Sequence, residues 1–172
     1  MVQHYIRLVI KGILIIFSII IIEVMVSKNN VLSNIDMINI LKHQKVKFNG
    51  IYMKDKLPSK LKRGSYIINL QSSFEGNGTH WTAFYYDKKQ SYYFDSYGFL
   101  APVEVHNKII PYYYNDSEIQ NVNSTACGFY CMAFVIFMDR YENKEDTFET
   151  FVNLFTDDTK KNERILYSIL YD

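Results

Sequence analysis

The apolar positions of the chain fall into three kinds of run. The first, residues 8–26, is almost wholly aliphatic, with Gly12-Ile13-Leu14-Ile15-Ile16-Phe17-Ser18-Ile19-Ile20-Ile21-Ile22 at its heart and Lys11 and Glu23 near its ends. At roughly 19 residues it is just long enough to cross a bilayer, and charges near its ends can snorkel to the interface. No small-residue cleavage pattern follows, which argues against a signal peptide. Met25-Val26-Ser27-Lys28 reads as an ordinary start of translation, which would make residues 1–24 an upstream extension. Residues 1–26 therefore stand apart as a hydrophobic N-terminal segment, either a membrane anchor or a mis-assigned start. Arg7, Lys11 and Lys28 do not settle an orientation.

The second kind of run is short and extended. Tyr66-Ile67-Ile68-Asn69-Leu70 predicts a buried strand. His80-Trp81-Thr82-Ala83-Phe84-Tyr85-Tyr86 and Ser91-Tyr92-Tyr93-Phe94-Asp95 flank the polar tip Asp87-Lys88-Lys89-Gln90 and predict a β-hairpin. Val46 to Tyr52 reads as strand or loop, with a turn signal at Asn49-Gly50. Residues 111–114 and 119–120 read as extended. The third kind of run is helical. Ser33-Asn34 caps a helix from Ile35 to Lys42, with Ile35, Ile38 and Leu41 on one face. Ala101-Pro102 opens a short helix to Ile110. From Ala126 to Arg140 apolar residues go all the way round, so that helix is buried rather than amphipathic. Phe148, Phe151, Val152 and Phe155, then Ile165, Leu166, Ile169 and Leu170, predict two more helices, with a cap at residues 157–159. Residues 27–172 thus form one α+β domain, a sheet packed against a buried central helix.

Composition narrows the chemistry. The 172 residues suit one domain with a real core. Lys and Arg total 19 and Asp and Glu 18, so charge argues for no polyanionic partner, though a local basic patch is compatible with it. The 2 cysteines, Cys127 and Cys131, lie one helical turn apart on one face, which is poor geometry for a disulfide. A zinc site lacks further ligands, because His4, His43, His80 and His106 are scattered without ligand spacing. A reduced, intracellular chain without a cofactor is the expectation.

Cys127 stands where a polar segment meets the buried helix. Free N–H groups and the partial positive charge of a helix N-terminus favour a thiolate there, so Cys127 is the candidate nucleophile. Such a thiol needs a base, and the base needs an orienting group. His80, at the junction of a glycine-rich loop and a strand, is the candidate base. With a four-residue tip, Tyr86 pairs with Ser91 and His80 lies opposite Tyr97. Asp95 then falls diagonally on the face of His80, about 7–8 Å away between Cα atoms, as the candidate orienting acid. Trp81 points to the opposite face. Gln120 can place an amide N–H₂ beside the nucleophile and join the Cys127 N–H as an oxyanion hole. Gly128 leaves room for a closely approaching substrate. Cys131 reads as packing, and His43 and His106 as bystanders.

The order His80-Trp81, Phe94-Asp95-Ser96-Tyr97-Gly98, Gln120, then Ala126-Cys127-Gly128-Phe129-Tyr130-Cys131 resembles the adenovirus-type cysteine proteases. Relatives of these occur in large DNA viruses, virophages and self-synthesising transposons, and SUMO-deconjugating proteases share their fold. The resemblance runs from Val46 to Arg140. It implies a circularly permuted papain-like α+β fold, with His80 as base, Asp95 as acid, Gln120 as oxyanion donor and Cys127 as nucleophile. The implied activity is a cysteine endopeptidase acting on a protein or polyprotein substrate, with cleavage after Gly-Gly or Gly-X during viral particle maturation in a host compartment or virion. A deconjugating isopeptidase for ubiquitin-like proteins and an inactive membrane-tethered binding module are the rival expectations. Two features depart from the family. Asp95 stands where the adenovirus enzyme has Glu. No cysteine lies outside the active-site helix to take a disulfide-linked activating peptide, and the charge balance argues against activation by DNA.

Overall fold

A computed structural model describes residues 31–76 and 78–171; the aliphatic segment 8–26 lies outside the described residues. The chain order is α1 (Asn34–His43), β1 (Ile51–Met53), a 3₁₀ turn (Lys54–Lys56), β2 (Gly64–Asn69), β3 (Trp81–Tyr86) and β4 (Ser91–Phe94). There follow α2 (Val103–Ile109), β5 (Tyr112–Tyr114), α3 (Cys127–Arg140), α4 (Lys144–Asn153) and α5 (Thr159–Tyr171). The strands form one mixed sheet in sequence order, β1-β2-β3-β4-β5. Its central pairings, β2 with β3 and β3 with β4, are antiparallel, and the outer two are parallel. The protein is therefore α+β. Among the described residues no helix is long and apolar enough to cross a membrane.

Both faces of the sheet are covered, which is why its strands read as continuous apolar runs rather than alternations. Ile67, Ala83, Tyr92 and Phe94 point to one face and pack with α3, which is flanked by α1, α4 and α5. Tyr66, Ile68, Phe84 and Tyr93 point to the other, under Leu57, Leu61 and α2. Every residue of α3 from Cys127 to Ile136 is buried. Phe94 stacks on Phe134 at 5.6 Å and meets Phe151 edge-on at 5.1 Å, tying β4 to α3 and α4.

Several expectations are met and others are corrected. Ser33 caps α1 in a reciprocal box with Asp36, and Asp158 accepts from the Lys161 N–H at the start of α5. The buried face of α1 is Met37, Ile40 and Leu41, while Ile35 is exposed. Asn49-Gly50 makes no hairpin: β1 pairs in parallel with β2, and the Asn49 amide instead donates to the carbonyls of Lys62 and Arg63. Gly128 has a packing role rather than a substrate-facing one. A Cβ there would stand 3.2 Å from Leu32 Cβ and 3.3 Å from Met37 Sδ, so the missing side chain admits α1 and the segment leading into it.

Candidate active site

The ends of β2 and β4 and the start of β3 share one end of the sheet, and the N-terminus of α3 carries Cys127 to the same place. In the hairpin, Ala83 pairs with Phe94, Phe84 with Tyr93 and Tyr85 with Tyr92. That is the register of the four-residue tip, and it sets His80 and Asp95 on a common face. Trp81 points the other way and is buried with Leu32 and Cys127 in the α3-side core.

His80 enters the site from a loop held at both ends. The buried Asn69 accepts from Gln71 N and Thr79 N at 2.9 and 3.2 Å, and the Gln71 side chain accepts from Gly78 N at 2.6 Å. Gly78 has φ +110°, and a Cβ on it would lie 2.3 Å from Asn69 Nδ2, so no side chain fits there. Leu70 N donates to the His80 carbonyl at 2.9 Å, closing the loop.

The imidazole is bonded to the acid on one side: Nε2 meets Asp95 Oδ1 at 2.8 Å, which leaves the other ring nitrogen for the neighbouring Cys127 thiol. Burial alone would lower the basicity of His80. The hydrogen bonds to Asp95 and Cys127 outweigh burial and raise its pKa to about 9. Cys131 is fully buried one turn on, and burial pushes its thiol well above the ordinary value, so it is an inert packing residue. Both cysteines are free.

Asp95 is wholly buried. Its Oδ1 also accepts from Tyr97 N at 2.8 Å, while Oδ2 has no hydrogen-bond partner among the described residues. Its backbone is clamped by Asn115, whose Oδ1 accepts from Asp95 N at 3.0 Å and whose Nδ2 donates to Asp95 O at 2.6 Å. Asn115, Ser96 and Asn69 are site residues that the sequence pattern does not single out. The one local signal for Asn115 is a lone amide that closes the run Tyr112-Tyr113-Tyr114.

Gln120 is also wholly buried. Ser96 Oγ donates to its Oε1 at 2.8 Å, and Ser96 O accepts from Gln120 N at 2.9 Å. Its Nε2 donates to Ser124 O at 2.7 Å and to the Tyr97 hydroxyl at 3.1 Å. A carbonyl oxygen can only accept, so the bond to Ser124 fixes which end of the amide is nitrogen. The Tyr97 ring lies over His80, 4.8 Å between centroids. His80, Asp95, Gln120 and Cys127 are thus brought together, with Tyr97 among them. His106 is elsewhere, against the Tyr112 hydroxyl at 3.3 Å.

A cleft of about 670 Å³ lined by Leu32, Tyr52, Asn69, Gly78, Thr79 and Trp81 runs beside this cluster. The loops that carry the site expose Phe74, Phe99, Leu100 and Val122. Among the described residues no group of three or more His, Cys, Asp and Glu is placed to hold a metal ion. Chemically, the arrangement supplies a thiol, a base that holds its proton through neutrality, an acid behind it and polar hydrogens beside it. No protein-family model matches the chain, and no curated protein matches it either.

Proposed function

We propose that the chain is a cysteine endopeptidase with a circularly permuted papain-like fold. One observation carries the reading: the His80 ring is bonded through one nitrogen to a buried carboxylate and neighbours a thiol at the head of a buried helix, which helps to raise its pKa. The resemblance to adenovirus-type proteases supports the same roles for His80, Asp95, Gln120 and Cys127.

In the proposed reaction the proton already rests on His80, held as an ion pair with Cys127, and the thiolate adds to a peptide carbonyl carbon. The carbonyl π pair moves to oxygen, where polar hydrogens at the Gln120 and Cys127 end stabilise the charge. The oxygen pair then reforms the carbonyl, the C–N bond breaks, and the imidazolium gives its proton to the leaving nitrogen. An amine departs and a thioester remains on Cys127. His80 next accepts a proton from water as the water oxygen adds to the thioester. Collapse of that adduct releases the acid and returns the proton to the pair. Asp95 holds the ring orientation throughout. The cleft beside Trp81 suits an extended peptide, and the exposed apolar side chains of the neighbouring loops suit a protein substrate. By resemblance, the substrates are viral structural precursors cut at Gly-Gly or Gly-X.

The test is labelling with a thiol-directed probe at neutral pH. Wild type should label at Cys127, His80→Ala should label at least tenfold more slowly, and Cys127→Ala should not label. Equal labelling of Cys127→Ala, through Cys131, would overturn the nucleophile assignment.

A further inference from the structure

The amide of Gln120 has two hydrogens, and both are engaged within the protein. One goes to Ser124 O at 2.7 Å and the other to the Tyr97 hydroxyl at 3.1 Å, while Ser96 holds the amide oxygen. No third N–H remains to face a substrate. The Tyr97 oxygen, by contrast, only receives: its own hydrogen meets no acceptor among the described residues. We propose that the Tyr97 O–H is the side-chain donor that meets the developing oxyanion, with Gln120 behind it as its polarising partner.

This inference rests on the cysteine-protease reading and changes who touches the substrate. Three observations carry it. The phenol is half-buried beside the nucleophile with its ring over His80 at 4.8 Å. Its backbone is fixed, because Tyr97 N donates to Asp95 Oδ1 at 2.8 Å and Gly98 N donates to Asp95 O at 2.8 Å. Burial, then the charges of Cys127 and Asp95, hold the phenol above its usual pKa, so the hydroxyl keeps its proton and can donate. A hydroxyl that accepts a hydrogen bond also becomes a better donor. The relay runs from Gln120 N–H to Tyr97 O, and from Tyr97 O–H to the oxyanion. The Cys127 backbone N–H supplies the second arm. The competing arrangement is a plug, in which the phenol oxygen occupies the oxyanion position and must swing away. The Gln120 Nε2 bond to the phenol oxygen opposes that swing.

The test needs no natural substrate. p-Nitrophenyl acetate acylates a thiolate through a tetrahedral oxyanion: sulfur adds to the carbonyl carbon, the π pair goes to oxygen, and collapse expels p-nitrophenolate and leaves an acetyl thioester. Iodoacetamide reacts with the same thiolate by displacing iodide, with no oxyanion. Tyr97→Phe keeps the ring and removes the O–H. Its Cys127 acylation rate should fall about a hundredfold, with the alkylation rate unchanged. Gln120→Ala should also slow acylation, and the double variant should be no slower than the slower single variant, because the two act in series. Acylation in Tyr97→Phe as fast as or faster than wild type would overturn the proposal in favour of a bystander or a plug. An equal fall with both reagents would overturn it too, by placing the hydroxyl's effect on the thiolate. Wild type inert to both reagents would instead remove the protease reading itself.

Discussion

His80 keeps its proton at neutral pH because two acceptors face it across a short distance. Its pKa is about 9 in the folded protein against an ordinary 6.5, so folding takes up a proton between those values. The resulting stability is fully present below pH 6.5 and is lost as pH rises through 9. The shift is worth up to roughly 3 kcal/mol. Urea denaturation of wild type from pH 6 to 9.5 should show this loss, and Asp95→Asn should flatten it. The same substitution places an N–H₂ or an amide oxygen where the ring expects a carboxylate, and so mis-sets the tautomer. We expect a fall in kcat/KM of about 10²- to 10⁴-fold with KM little changed; an unchanged kcat/KM would remove Asp95 from the mechanism. Above pH 9, wild-type activity should fall as His80 loses the proton that the leaving amine needs.

At the scale of elements, the site depends on loops being pinned to strands. Asn115 binds both backbone groups of Asp95 and the Ser117 carbonyl. Asn115→Ala leaves those buried groups unpaired and should cost about 1–3 kcal/mol. The acid would lose its alignment, so kcat should fall more than KM rises; steady-state kinetics alongside a urea titration separates the two effects. Gly128→Val tests the packing of α3 against α1. With Leu32 Cβ and Met37 Sδ within 3.3 Å of the first added carbon, overpacking should destabilise by about 1–3 kcal/mol in the same titration. The hairpin is legible in the sequence because an even-length tip leaves one register, and that register sets Asp95 on the face of His80. The buried helix is legible because its apolar residues go round the whole circumference. Asn69, Ser96 and Asn115 are not legible. A buried polar side chain is recognised only by its partners: backbone groups up to 20 residues away for Asn69 and Asn115, and the Gln120 amide oxygen 24 residues away for Ser96. The inner face of α1 misleads for a related reason. Spacing alone does not say which of its apolar residues meets Gly128.

Over the whole molecule, the site is assembled from two stretches that are far apart in sequence and meet at one sheet end. One runs from Gly78 to Gly98 and the other from Asn115 to Cys131. Among the described residues, the cores on the two sheet faces draw on residues 32–170, all of which a chain beginning at Met25 keeps. Such a chain should unfold in one cooperative transition and label at Cys127 like the full chain. A broad or two-step transition would mean that earlier residues belong to the core. Charge gives little guide to the site, since the 19 basic and 18 acidic residues of the chain nearly balance.

The burial of α3 from Cys127 to Ile136 has a consequence for hydrogen exchange. Amides from Cys131 to Ile136 are shielded on every side, so they should exchange only when the whole domain opens. The loop before His80, with Phe74 82% exposed, should exchange through smaller openings. Local fluctuation thus withdraws His80 long before Cys127, and mild denaturant should slow Cys127 labelling reversibly while the helix amides stay protected.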